Sequence, residues 1–304
     1  MRLGLSLSVF TTDLARPLSV AASAAAAGYE LVVAPDHLHP PGHPERPSID
    51  AFTLLSAVAV ANPQVGVGTL VSRASLRPVG LLATYAAALD HLCGGRGVLG
   101  LGAGDHLSQL EHATFGVPFA PAKERVAGLV EAAMALRTLF AGRPWDGGAI
   151  VGPLAGPILP PASPPVWVGG LSDGVVRAAA RAAQAWNGWG LGLDAFTDRV
   201  RALRGFAIEA GRDPGEVPPT WAGIVLVGRD RAELETLDRA RDDQGLPGDL
   251  WRGTLDELRR FIEGLAALGT TWCIVLPAGP RDRLEVVAEV FDQVAGLGSG
   301  PGRS

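Results

Sequence analysis

The residues Asp36-His37-Leu38-His39-Pro40-Pro41 place one carboxylate and two imidazoles within a few positions of one another. Imidazole titrates near neutral pH, so it suits proton transfer or a hydrogen bond to a ligand heteroatom. The aspartate can serve a ligand or merely cap the turn after Pro35; the residues alone leave both readings open. A second group follows the run Val98-Leu99-Gly100-Leu101-Gly102-Ala103-Gly104, which ends in Asp105 and His106. Glycines at alternate positions let a flat ligand or another backbone come close, and Asp105 is then placed for proton transfer. The same glycines would also ease packing in a narrow barrel. A third group is Val168-Gly169-Gly170-Leu171-Ser172-Asp173. Amides freed by its glycines, with the start of the following helix, make an anion site, although Ser172 also reads as a plain N-cap. The apolar run Gly68-Thr69-Leu70-Val71-Ser72 ends on a polar residue and is equally well a buried strand end.

Several chemistries are excluded. His37, His39 and His43 invite a metal reading, but a catalytic metal needs further ligands from later in the chain. All six histidines lie within the first 112 residues, so no metal site is expected. Lys123 is the sole lysine, which confines Schiff-base chemistry to one position and removes a P-loop. The glycines after Leu99 miss the dinucleotide fingerprint, because Asp105 stands where its last glycine belongs.

These groups need elements to position them. Short apolar runs alternate with longer amphipathic stretches. Strands are expected at Leu3–Ser8, Glu30–Ala34, Gln64–Val71, Gly97–Gly102, Val166–Gly169, Ala185–Trp189, Thr220–Val227 and Thr271–Leu276. Helices are expected at Arg16–Ala27, Asp50–Ala61, Arg77–Leu92, Lys123–Ala141, Ser172–Ala183, Ala195–Ala210, Arg231–Arg241, Thr254–Leu268 and Asp282–Ala295, the eighth opened by a Thr254/Glu257 capping box. A long loop follows the fourth strand. Prolines and glycines crowd residues 143–163, which read as an irregular excursion with a short hairpin. Eight strands alternating with helices are what a (β/α)8 TIM barrel requires. One domain spans 1–296, and 297–304 reads as a disordered tail. In a barrel, catalytic groups sit past the carboxyl ends of strands, and all four groups above lie there.

The 304 residues carry a net charge of −5, with 47% hydrophobic and 19% charged. No basic face is on offer for nucleic acid. Apolar runs such as Leu54–Ala61 stop well short of the ~20 residues that span a bilayer. The first ten residues lack a signal-peptide pattern, and two distant cysteines, Cys93 and Cys273, make no disulfide framework. A cytoplasmic protein acting on a small molecule is expected.

Taken together, the motifs resemble the bacterial luciferase-like monooxygenase family, above all its deazaflavin-dependent branch. The resemblance is carried by Gly28-Tyr29-Glu30 leading to Asp36-His37-Leu38, by Gly66-Val67-Gly68-Thr69-Leu70-Val71, and by Leu89-Asp90-His91-Leu92-Cys93-Gly94-Gly95-Arg96 with Leu99-Gly100-Leu101-Gly102-Ala103-Gly104. Further along it is carried by Phe115-Gly116-Val117-Pro118-Phe119, Glu124-Arg125, Pro165-Val166-Trp167-Val168-Gly169-Gly170, Ala185-Trp186-Asn187-Gly188-Trp189 and Gly211-Arg212-Asp213-Pro214. Each piece is short; their order and spacing are specific.

The resemblance implies a cofactor ring in the barrel mouth and a non-prolyl cis peptide at or near Leu70–Val71. It assigns ring contacts to Asp36 and His37, and to Leu70, Val71, Ser72, Gly102, Ala103 and Gly104. The cofactor phosphate falls to Gly169, Gly170 and Ser172. Catalytic roles fall to His37 first and Asp105 second as proton donor or acceptor, with Asp36 fixing the imidazole or touching the ring. Related sugar-phosphate dehydrogenases have glutamate at the place of Asp105 and hold substrate phosphate with lysines late in the chain. Here no lysine follows Lys123, so a sugar phosphate is not expected. The expected activity is hydride transfer between coenzyme F420 and a small organic substrate, apolar if Trp186, Trp189, Trp221 and Trp272 line its site rather than pack the core or rim. The alternative is an FMN-dependent monooxygenase with a reductase partner; a metal hydrolase or a non-catalytic barrel comes after both. Family members are often homodimers.

Overall fold

Each of the eight expected strands forms, and all pair in parallel. The computed structural model describes residues 1–158, 161–244, 250–280 and 282–298. Strands and helices run β1 (Arg2–Ser6), α1 (Ala15–Ala26), β2 (Leu31–Ala34), α2 (Ala51–Ala61), β3 (Gly66–Arg73), α3 (Val79–Leu92), β4 (Val98–Gly102), α4 (Ser108–Thr114), α5 (Ala122–Phe140) and β5 (Val166–Gly169). They continue α6 (Asp173–Ala182), β6 (Ala185–Trp189), α7 (Leu193–Glu209), β7 (Pro219–Gly228), α8 (Arg231–Asp242), β8 (Trp251–Thr254), α9 (Leu255–Ala267), β9 (Trp272–Pro277) and α10 (Arg283–Gly298). The ring closes because β6 pairs with β7, β7 with β9, and β9 with β1 in the register Arg2↔Trp272. The result is a closed eight-stranded parallel barrel with helices between its strands, a (β/α)8 TIM barrel in a single domain.

Three features depart from the sequence reading. A ninth strand, β8, pairs with Val225–Gly228, where the long strand β7 runs beyond its pairing with β6. Strand β3 runs two residues past Val71, taking in Ser72 and Arg73. The long loop after β4 contains α4. The Thr254/Glu257 capping box does open α9. The short hairpin also forms: Trp145 bridges Leu154 antiparallel, and Glu131 on α5 accepts hydrogen bonds from the Ala149, Ile150 and Val151 amides at 2.8–3.0 Å. Part of the expected tail, residues 299–304, lies outside the described residues; 297 and 298 belong to α10. Cys93 and Cys273 are buried and unbridged. Among the described residues, no helix is long and apolar enough to cross a membrane.

Alternation along the strands sorts the side chains. Inside the barrel, Leu31, Val33, Leu70, Trp167, Ala185, Ala222 and Ile274 form one buried cluster. Trp272 sits 6.2 Å from Trp167 with Arg2 stacked on its ring, so this pair closes the barrel at its amino end. Trp186 and Trp221 face outward and are fully buried, packed on Phe196 of α7 and Phe261 of α9. Three of the four tryptophans therefore pack the core, and only Trp189 is exposed at the carboxyl end. The inner space is narrow enough to demand glycine. A methyl on Gly68 would overlap the Val98 carbonyl oxygen of the paired strand. Backbone cannot rotate away as a side chain can, so Gly68→Ala is expected to cost about 2–3 kcal/mol through overpacking. Urea denaturation measures it, and a parent-like midpoint would mean that the two strands part freely.

Candidate functional site

The carboxyl ends of β2, β3 and β4, with α4, bring the first two sequence groups together. Strand β2 ends at Ala34, and Pro35 turns the chain so that Asp36 enters the barrel top fully buried. Its Oδ2 accepts hydrogen bonds from Ser72 Oγ at 2.6 Å and from Arg77, which also bonds Asp50 at 2.8 Å. Among the described residues its Oδ1 is buried without a hydrogen-bond partner. Asp36 therefore braces the loop from beneath and does not hold the imidazole beside it.

Glu111 holds that imidazole. His37 Nδ1 lies 3.0 Å from Glu111 Oε2, while the Leu38 amide donates to Oε1 and Arg73 Nη1 donates to Oε2 at 2.5 Å. Glu111 and Arg73 are almost completely buried, and His37 is 27% exposed. Burial alone would raise the Glu111 pKa. Hydrogen bonds from Arg73, His37 and the Leu38 amide outweigh it and hold the carboxyl well below the usual range. A carboxylate can only accept here, so Nδ1 of His37 carries the hydrogen and Nε2 is the ring position free to exchange a proton. Among the described residues Nε2 has no hydrogen-bond partner, and Phe10 packs against the ring at 5.9 Å.

Asp105 stands elsewhere. Asp105 is exposed, and its carboxylate accepts from the Ser108 amide and hydroxyl at 3.1 and 3.2 Å, bracing the turn that leads into α4. The carboxylate that meets His37 is thus Glu111, six residues further on, in the first turn of α4. His39 is buried with Nδ1 on the Pro40 carbonyl at 2.8 Å and its ring stacked on Phe115; it anchors the loop. His43 pairs with Glu45 at the surface. Among the described residues no group of three or more His, Cys, Asp or Glu side chains is placed to hold a metal ion.

The peptide bond Leu70–Val71 is cis, at the position the resemblance implies. The β3–β4 register shifts between Thr69 and Ser72. Val71 lies over Gly102 and Gly169: a Cβ on either would come within 2.7 or 2.8 Å of its methyls. These glycines leave Val71 room to lie directly over the ends of β4 and β5. Gly104 takes a positive φ of 72° and brings Ala103 and Gly104 under Arg125, whose guanidinium donates to both carbonyls at 3.1 and 3.3 Å. Gly170 spends its amide on the Asn187 carbonyl at 3.2 Å and its own carbonyl on Trp186 Nε1 at 2.9 Å. Ser172 caps α6, accepting from the Val175 amide at 3.4 Å. Of the expected phosphate group, the start of α6 is what remains open, with Arg199 paired to Asp173 beside it at 2.5 Å.

Burial pulls the His112 pKa down, and the Arg73 charge adds to that. Its Nδ1 bonds the Pro118 carbonyl at 2.9 Å. Both His112 and Glu111 thus have lower folded than unfolded pKa values, so each stabilises at higher pH and loses that contribution as pH falls. Stability is expected to decline below about 6.5 as unfolded His112 takes up a proton the folded state resists, and again below about 4.5 for Glu111. Urea midpoints across pH check this. His112→Gln should flatten the first decline, and an unchanged profile in that variant would remove His112 as its source.

The chain matches the family described as luciferase-like monooxygenase over residues 1–264. A protein of Mycobacterium tuberculosis without an assigned function is 30% identical over 219 residues, 64% of this chain and 73% of that one. The phthiodiolone/phenolphthiodiolone dimycocerosates ketoreductase of Mycobacterium kansasii is 30% identical over 227 residues, covering 67% of the chain and 59% of the relative. Among solved structures, an F420-dependent secondary alcohol dehydrogenase in complex with an F420-acetone adduct superposes with a TM-score of 0.80 at 18% identity, over 96% of this chain and 98% of that one. The EDTA monooxygenase of Chelativorans sp. BNC1 superposes with a TM-score of 0.80 at 18% identity, over 99% and 95%. At such identities the structures speak for the fold; the match over residues 1–264 shows that the chain belongs to the luciferase-like monooxygenase family.

Proposed function

We propose that the protein transfers a hydride between coenzyme F420 and a small organic substrate that is not a sugar phosphate. The observation that carries this is the His37–Glu111 pair, with Nδ1 fixed and Nε2 uncommitted at the mouth. Hydride arriving at a carbonyl carbon leaves charge on oxygen, which a positioned donor must neutralise. The deazaflavin, when bound, supplies the carbon that gives or takes the hydride. With Nδ1–H held by Glu111, His37 as imidazolium carries its second proton at Nε2 and gives it to the substrate oxygen, or as neutral imidazole takes it there in the reverse direction, and Glu111 keeps the ring turned toward that oxygen.

The residues present suit such a ring. Val71 lies close over Gly102 and Gly169, which have no side chain to stand in a ring's way. Buried acceptor Oδ1 of Asp36 and buried donors Nε and Nη2 of Arg73 lack partners, and a pyrimidinedione edge offers both N–H and C=O. Leu70, Ser72, Ala103 and Gly104 complete the seat, and the start of α6 at Ser172 is left for phosphate. Asp105 has no part in proton transfer in this reading. The likeness to a dehydrogenase whose structure holds an F420-acetone adduct supports a ketone or secondary alcohol as substrate.

The likeness to EDTA monooxygenase favours the second reading, FMN with oxygen and a separate reductase. Fluorescence titration of the purified protein with F420 and with FMN decides between them. Saturable F420 binding that is weakened in Gly169→Val supports the first; tight FMN binding without response to F420 overturns it.

A further inference from the structure

We infer that the cleft at the carboxyl ends of β1 and β9 receives the body of the substrate, and that this substrate is a small, mainly apolar molecule bearing one carboxylate, which Arg16 meets at the rim. The inference rests on the oxidoreductase reading for what happens to the molecule, but not for whether it binds. The cleft holds about 260 Å³ and is walled by Leu7, Phe10, Val20, Leu276, Pro280 and Leu284. That volume lies just under the ~300–1,000 Å³ of small-molecule sites, so a single compact ligand fits and a polymer does not.

Polar groups in the wall are few and partly engaged. Ser8 Oγ accepts from the Phe10 amide at 3.3 Å, and Thr11 Oγ1 from the Asp13 amide at 2.9 Å. A polyhydroxylated ligand would lose more hydrogen bonds to water than this wall returns. Arg16 is the exception. It is exposed at the cleft edge and has neither hydrogen bond nor ion pair among the described residues. A guanidinium beside an apolar wall selects a molecule with an apolar body and a planar anion at one end.

Phe10 joins the cleft to the candidate site. The side chain that walls the cleft is the one that packs on the His37 ring at 5.9 Å. Phe10 is thus shared between the cleft and the candidate site, and the proposed ligand, with its carboxylate at Arg16, lies against the same side chain that packs on His37.

Binding of octanoate and of 1-octanol to the purified protein, without cofactor, tests this by calorimetry or ligand-observed NMR. Octanoate should bind the parent about 3- to 5-fold more tightly than Arg16→Gln, the modest gain of an exposed charge pair. 1-Octanol should bind both within about twofold, since it brings no charge. Val20→Trp, which fills the cleft, should weaken both ligands together while keeping the parent's urea midpoint; Thr11→Trp replaces it if Val20→Trp does not fold. Octanoate binding that ignores Arg16→Gln, or ligands that ignore the filled cleft, would overturn the inference. So would loss of F420 binding in the filled variant, which would give the cleft to the cofactor. If the parent binds neither F420 nor FMN but octanoate keeps the stated pattern, the oxidoreductase reading falls and the cleft assignment stands.

Discussion

Glu111→Ala is expected to destabilise the folded protein by about 3–5 kcal/mol, the loss typical of removing one partner from a buried ion pair. Glu111 is 1% exposed and Arg73 4% exposed, so neither has water to fall back on. Arg73 already carries two buried nitrogens, Nε and Nη2, without partners. Taking away the carboxylate leaves the whole guanidinium uncompensated and strips the Leu38 amide and His37 Nδ1 of their acceptor. Two companion variants separate charge from shape. Glu111→Gln keeps an acceptor oxygen and should lose less. Arg73→Met combined with Glu111→Leu removes both charges and should recover much of the loss, because no charge stays buried. Urea unfolding reads all three. A Glu111→Ala midpoint equal to the parent's would show that the carboxylate contributes nothing to the fold.

His37→Ala is expected to do the reverse: turnover should fall by about 10²–10⁴ while stability changes little. The fall is what removal of a positioned general acid or base costs. The small stability effect follows from exposure, since the ring is 27% exposed, and Glu111 keeps Arg73 and the Leu38 amide as donors when the imidazole is gone. Steady-state rates with F420 on a series of ketones, alongside urea unfolding, measure both quantities. Glu111→Gln should share part of this kinetic loss, and His37→Ala/Glu111→Gln should lose no more than His37→Ala, because both act on one proton. Additive losses would separate Glu111 from the imidazole. An unfolded His37→Ala whose folded fraction keeps full turnover would make His37 structural.

The barrel was legible because its strands are continuous apolar runs broken by Gly, Pro and Asn, and all eight expected strands lie within a few residues of the observed ones. β8 was not, because Trp-Arg-Gly-Thr is too short for any period and runs straight into the capping box of α9. The site was half legible. Asp36 and His37 stand at a strand end, where side-chain type and position speak together. Glu111 lies on a seven-residue helix in a polar stretch and reads as a solvated acid. Its partners Arg73 and His37 are 38 and 74 residues away, and no local pattern encodes that meeting. Asp105 shows the same limit. A carboxylate after a Gly-rich strand suits a turn as well as a catalyst, and here it accepts from the Ser108 amide three residues on.

The register Arg2↔Trp272 also fixes an order of events in the life of the chain. The first strand pairs with β2, close in sequence, but its other edge has no partner until Trp272–Pro277 are present. Without them the ring cannot close, and β1 is left at one free margin. The seam between first and last strands is the contact of longest reach, so it is made late and at the greatest entropic cost. A chain cut before Trp272 would keep two unpaired margins, β1 and β7, each able to recruit a strand from a second molecule. The short strand β9 is thus the keystone, and its absence would turn a closed vessel into a self-adhesive sheet.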